Sequence, residues 1–302
     1  MAMVSQYQKF SIMLAPGLPD PGGETRPMAK KKKHPASSVK SLHRHKLYEY
    51  SVQCPEAEVD FIQNTFKRFR KRNARLLRED FCGTAAVCAE WVRRHNRNIA
   101  TGVDLDKEVL DWGKKNHLSR LTDSQRKRVT LLNKNVLTVS TGKADAIAAM
   151  NFSYWLFKER KDLKRYFKRA FRALADDGIL FLDAYGGYEA FQEVIEEREI
   201  EEDGYRFTYI WEQEHFNPVN NGLICNIHFE FPDGTRVERA FHYDWRLWTL
   251  PEIRDLLQEC GFSRITTWWQ GYDEDGESDG DFEIVTNADA DAGWICYLVA
   301  EK

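Results

Sequence analysis

Residues 74–115, ARLLREDFCGTAAVCAEWVRRHNRNIATGVDLDKEVLDWGKK, read as a strand, a tight turn, a helix and a second strand that ends in an acid. Leu76 and Leu77 begin a short apolar run that Glu79 and Asp80 close, and Cys82-Gly83-Thr84 makes the turn. Ala85, Ala86, Val87, Ala89 and Trp91 then give a small-residue helix that finishes on Arg93, Arg94 and His95, cations placed where a helix C-terminus favours them. Ile99 to Val103 supplies the next strand, stopped by Asp104. A right-handed crossover makes two such strands parallel and aims the N–H groups of the turn over the strand ends.

The turn lacks the three glycines of a pyrophosphate fingerprint and the Gly-Lys-Ser/Thr of a P-loop. Only Gly83 is present, with Phe81 and Ala85 where further glycines would fall. An acid ending the first strand, Glu79, and another ending the second, Asp104, suit a ligand with a cationic amine at one end and a ribose diol at the other. EDFCGTA followed by GVDLD resembles the first two motifs of the class I S-adenosylmethionine-dependent methyltransferases. The resemblance implies that Glu79 and Gly83 border the methionine part, with Phe81 and Thr84 of the same turn as further cofactor contacts. It also implies that Asp104 accepts from the ribose hydroxyls and that Leu105 packs on the adenine.

The later segments follow the same order. Val129 to Leu132 reads as the third strand, and the resemblance makes Asn135, beside Val136, the partner of the adenine amine. Ala144 to Met150 is a continuous apolar run of the kind buried on both faces of a sheet. It ends in Asn151-Phe152-Ser153-Tyr154, which shares only its ends with the Asn-Pro-Pro-Tyr tetrapeptide of amino-methylating enzymes. At a switch point beside the first strand, Asn151 and Phe152 fall among the cofactor contacts and Tyr154 next to the transferable methyl. Arg160 to Asp177 has helical spacing, Gly178 ends it, and Ile179 to Leu182 forms the fifth strand, leaving Tyr185 over the cleft.

Three alternating segments follow, Tyr205 to Glu214, Leu223 to Phe231 and Val237 to Trp245, separated by strong hairpin signals. They predict an antiparallel insertion over 200–246 that shapes the acceptor pocket, with His242 or His215 as a candidate base. Thr249-Leu250-Pro251-Glu252 is a capping box that opens a last helix, and Arg264 to Gln270 and Trp294 to Ala300 close the chain. The expected fold is an α/β, doubly wound, mostly parallel sheet of seven strands in the order 3-2-1-4-5-7-6, with the seventh antiparallel.

Leu42 to Lys71 precedes this core as a helix starting after Pro55. Tyr48, Tyr50 and Gln53 just before it either form a lid over the methionine end or anchor the preceding arm. Residues 1–41, rich in Pro and Gly and carrying Lys30 to Lys33, read as a flexible basic arm, and 42–302 as the methyltransferase domain. The net charge is -3, and Asp273 to Asp291 holds nine acids without Lys or Arg. That loop only partly matches a calcium loop, since Thr286 stands where a bidentate Glu is required. The six cysteines form no CxxC pair, so neither a zinc site nor a disulfide framework is indicated. With no run near the roughly 18 to 20 apolar residues of a membrane span and no secretion signal, a cytoplasmic location is expected. Together these features predict S-adenosylmethionine-dependent methyl transfer to a small-molecule acceptor, N-methylation ahead of O-methylation, with Tyr154, His242 and Tyr185 as catalytic candidates and no metal. Membrane and nucleic acid are not expected partners, and the oligomeric state stays open. Two alternatives stay beside this one: a catalytically silent cofactor-binding regulator, and an RNA or protein methyltransferase recruited through the basic arm.

Overall fold

A computed structural model describes residues 42–272 and 278–302. The arm expected over 1–41 and the centre of the acidic loop lie outside the described residues.

Two helices lead in, α1 (Arg44–Ser51) and α2 (Pro55–Arg70). Pro55 fits the first turn of α2, where its missing N–H costs nothing, and Glu56 and Glu58 face the positive end of the helix dipole. The crossover units follow as β1 (Leu76–Asp80), α3 (Ala86–Arg94), β2 (Ile99–Asp104), α4 (Lys107–Asn116), a short α5 (Asp123–Arg126) and β3 (Val129–Asn133). Then come β4 (Ala144–Ala149), α6 (Arg160–Ala173) and β5 (Leu174–Gly186). Strands β1 to β5 are mutually parallel, and β4, between β1 and β5, is buried along its whole length. After α7 (Leu250–Glu259), whose capping box at Thr249 and Glu252 is formed, β10 (Arg264–Tyr272), β11 (Ser278–Val285) and β12 (Trp294–Glu301) complete the sheet.

The order is β11-β10-β12-β5-β4-β1-β2-β3, with β12 antiparallel to both β5 and β10. This is the expected 3-2-1-4-5-7-6 series with one strand added outside it. The added strand, β11, falls where the sequence predicts a solvated loop. Phe282 and Ile284 alternate with acids there, and Phe282 packs 4.4 Å from the ring of Tyr297 under Phe61 of α2, so one face is apolar enough to pair. Helix α6 also ends sooner than its spacing suggests, because residues from Leu174 onward are taken into β5.

The insertion is a separate sheet of four strands in the order β6-β7-β8-β9. It comprises β6 (Val194–Glu202), β7 (Tyr205–Asn217), β8 (Gly222–Glu230) and β9 (Arg236–Arg246). The sequence predicts three of these and misses β6, since positions of β6 that turn inward carry Glu196 and Arg198 rather than apolar residues. Helix α1 ties this sheet to the main body: Tyr50 Oη donates to Asp203 at 2.7 Å, Arg198 donates to the Ser51 carbonyl, and Arg44 reaches the Ala240 carbonyl at 3.4 Å. Among the described residues, no helix is long and apolar enough to cross a membrane.

Candidate active site

The turn after β1 is built from left-handed backbone. Phe81, Gly83 and Ala85 have φ of 58°, 49° and 58°, so the backbone shape usually bought with three glycines persists here with one. It is held by Cys82 N–H to Val103 O at 3.1 Å and Ala85 N–H to Cys82 O at 2.7 Å. Gly83 N–H donates to Asp104 Oδ2 at 2.8 Å, and Asp106 N–H donates to Oδ1 of the same carboxylate, also at 2.8 Å. Two backbone donors therefore fix the Asp104 carboxylate at the end of β2 and leave each oxygen a further lone pair for a ligand. Glu79, at the end of β1, accepts from the N–H of Cys88 in the first turn of α3 at 3.0 Å. A protein carboxylate thus satisfies an N–H at the helix N-terminus where a phosphate-binding fold would place its ligand.

The loop after β4 has a matching construction. Asn151 and Phe152 both lie in left-handed conformation, with φ of 57° and 55°. Their N–H groups donate to the two oxygens of Asp183 at 2.6 and 2.9 Å. Asp183 is fully buried in β5, and the sequence reading does not identify it. Burial pushes its carboxyl up to about 7 against the pull of those two donors. Glu79 is likewise raised by burial to about 7, with the Cys88 contacts opposing. Burial also raises Asp104, against the N–H groups of Asp106 and Gly83.

These strand ends open on a cleft of about 320 Å³. One wall is the turn, with Phe81, Gly83 and Thr84, continued by Asp104, Asp106 and Val109. A second comes from Asn151, Ser153 and Leu156, and α1 with its following loop adds Arg44, His45, Tyr48 and Gln53. The remaining side is Phe241, Tyr243 and Trp245 of β9, which stack together at 4.3 Å in the Tyr243–Trp245 pair, while Tyr48 meets Phe241 at 4.9 Å. His45 is held neutral, its pKa lowered to about 4 by burial and then by the Arg44 charge.

Of the expected cofactor residues, Tyr48, Phe81, Gly83, Thr84, Asp104 and Asn151 line this cleft. Glu79 sits behind the turn, and Phe152 and Val136 are in the core. Leu105 is 69% exposed, and Asn135 spends its Oδ1 on the Leu137 N–H at 2.8 Å, so neither lines it.

The three catalytic candidates are displaced from it. Tyr154 is buried and its hydroxyl donates to the Asp183 carbonyl at 2.7 Å; Tyr185 is buried against Phe152 and Trp155 and donates to Gln213 Oε1 at 3.3 Å. Both are buried and neither lines the cleft. His242 occupies the opposite face of β9 from Phe241 and Tyr243, exposed and bound to Asn226 Oδ1 at 2.8 Å. The period of two that places His242 outside is the same signal that places its neighbours inside.

The buried acids set a pH dependence. Glu79 and Asp183 at about 7 and Glu196, raised by burial to about 8, all hold protons more tightly folded than unfolded. The folded state then binds more protons between about pH 4 and pH 8, so stability falls as pH rises through that window and levels above it. The urea midpoint of the ligand-free protein should be higher near about pH 5.5 than near about pH 8.5, and a flat or rising profile would contradict this.

Comparison with known proteins agrees with this geometry. A family model described as a methyltransferase domain matches residues 80–182. A putative methyltransferase of Geobacillus sp. (strain WCH70), GWCH70_2453, is 23% identical over 172 residues, 54% of this chain and 65% of that protein. Among solved structures, an S-adenosylmethionine-dependent methyltransferase from Clostridium acetobutylicum is 16% identical with a TM-score of 0.61, covering 85% of this chain and 96% of its own. CalS10, an amino pentose methyltransferase from Micromonospora echinaspora solved with S-adenosylmethionine bound, gives 13% and 0.62, covering 90% and 99%. KedS8, a sugar N-methyltransferase from Streptoalloteichus sp., gives 15% and 0.59, covering 92% and 99%.

Proposed function

We propose that this chain, which has the class I S-adenosylmethionine-dependent methyltransferase fold and a matched methyltransferase domain, transfers the cofactor's methyl group to a small-molecule acceptor. The observation that supports this best is the composition of the cleft: a polar, backbone-anchored wall at the β1 and β2 ends faces an aromatic wall from the inserted sheet.

The polar wall suits the cofactor. A Cβ added at Gly83 would meet nothing within 4 Å, so the turn is open to close approach. Thr84 Oγ1 and Gln53 Oε1 are buried without a hydrogen-bond partner among the described residues, which leaves acceptors for a polar ligand. Asp104, oriented by two N–H groups, presents its free lone pairs to a diol. When bound, S-adenosylmethionine supplies a sulfonium methyl that is already activated. The chain has to hold the acceptor in line at roughly 3 to 3.5 Å and keep water out. Phe241, Tyr243 and Trp245 do both for an acceptor with an apolar or cationic face.

An amine acceptor fits this wall better than an alcohol, because an amine that enters neutral needs no base and none of Tyr154, Tyr185, His242 and His215 lines the cleft. The amino pentose and sugar N-methyltransferase functions of two fold neighbours lend support to amino sugars as the first acceptors to try. The catalytic unit is residues 42–302, with the antiparallel sheet as its acceptor wall. Six cysteines, all buried and none in a disulfide among the described residues, accord with a reducing cytoplasmic setting.

Calorimetric titration with S-adenosylmethionine tests the reading, followed by release of S-adenosylhomocysteine over a panel of amino sugars. Asp104→Ala should weaken cofactor binding about tenfold or more through lost charged hydrogen bonds. Wild-type protein that fails to bind the cofactor would overturn the assignment.

A further inference from the structure

Among the buried oxygens with no hydrogen-bond partner in the described residues are Gln53 Oε1, Glu58 Oε1 and Thr84 Oγ1, the first and last on residues that line the cleft and Glu58 within reach of the cleft residue Tyr48. Gln53 and Thr84 line the cleft, and Glu58 stands in the first turn of α2, one turn beyond Gln53. Glu58 is 1% exposed, yet among the described residues no ion pair to it is formed. The charges that bear on it are all negative, Glu79 from β1, Asp183 from β5 and Glu56 from its own helix, and its own charge bears on Tyr48 of α1. Around that group, Asp80, Asp104 and the Cys88 thiol face Glu79, while the Cys296 thiol lies toward Asp183. Arg78, next to Glu79 in β1, is taken up by Asp80 at 2.8 and 3.2 Å, and Asp80 also accepts from Tyr166 at 3.0 Å. A buried carboxyl among carboxyls, with an empty lone pair, is an arrangement that a cation completes.

We infer that Gln53, Glu58 and Thr84 form the seat of the ammonium group at the methionine end of the cofactor, with Glu58 as its counter-charge. An ammonium carries three donors and no acceptor, which matches three acceptor atoms left over by the fold. The inference rests on the cofactor reading above and adds a residue from the leading helix to it. In the ligand-free protein the Glu58 carboxyl keeps its proton, since burial and neighbouring acids both disfavour its charge. Arrival of the ammonium ionises it: the O–H bond breaks, the carboxylate pairs with the ammonium, and the proton passes to solvent.

The experiment titrates the full chain near about pH 7 in two buffers of different ionisation enthalpy, with S-adenosylmethionine and with 5′-methylthioadenosine, which lacks the amino-acid end. The wild type should release about one proton per S-adenosylmethionine bound and none with 5′-methylthioadenosine. Glu58→Gln should remove that release and weaken S-adenosylmethionine about tenfold while leaving 5′-methylthioadenosine unchanged. Cofactor binding without proton release in the wild type, or a variant that weakens both ligands equally or neither, would overturn the ammonium seat alone. Failure of the wild type to bind either ligand would overturn the cofactor reading, and the seat with it.

Discussion

Gly113→Ala should unfold the cofactor turn and remove ligand binding. Helix α4 crosses the turn so closely that a Cβ at Gly113 would lie 2.1 Å from the Thr84 carbonyl oxygen and 2.7 Å from its carbon. The obstacle is backbone, which cannot rotate aside as a side chain can. Either α4 or residues 81–85 must shift, and the turn already holds three left-handed residues in five and is pinned to Asp104 through Gly83. Overpacking of this kind costs about 3 kcal/mol or more. Urea denaturation should show the loss, and calorimetry should show no S-adenosylmethionine binding. Gly142→Ala is the control: its added methyl meets nothing within 4 Å, so stability should stay within about 0.5 kcal/mol of wild type. Equal stability and binding in both variants would mean the turn is looser than this packing implies.

Asp183→Ala should be nearly as damaging. It removes both acceptors of the Asn151 and Phe152 N–H groups at once and leaves the buried Phe152 donor and the half-buried Asn151 donor unpaired in a segment that needs positive φ. Each unpaired donor costs about 1–3 kcal/mol, so a loss of about 2–6 kcal/mol is expected. Because Phe152 packs on Tyr185, Trp155 and Trp245, the near-ultraviolet circular dichroism of those aromatics should change together with the melt. A variant that melts like wild type would show that packing alone holds the loop.

How much of this was legible in sequence depends on whether the signal is local. The β1–turn–α3–β2 unit is readable because apolar runs, small residues and terminal acids lie next to one another, and the cleft follows from where parallel strands end. The role of Asp183 is not readable, since its partners are more than thirty residues upstream and nothing local marks the contact. The facing of β9 is hard for another reason: Arg239 has φ of 46° and the β8–β9 register shifts between Ile227 and Phe229, so alternation cannot be carried through the strand unbroken. Strand β6 hides because Glu196 and Arg198 occupy inward positions, the charge of each disfavoured by burial. Tyr154 and Tyr185 look poised for chemistry because they stand at strand ends in the sequence, yet β5 runs on to Gly186 and keeps Tyr185 inside the sheet.

The two walls of the cleft belong to different sheets, and the chain passes between those sheets only after β5 and after β9. On the proposed function, donor chemistry and acceptor choice therefore lie on separate parts of the chain. If β9 forms the acceptor wall, substitutions at Phe241 or Tyr243 should change which molecule is accepted while leaving the backbone contacts of Gly83 and Asp104 in place, so laboratory diversification aimed at new acceptors should begin on β9.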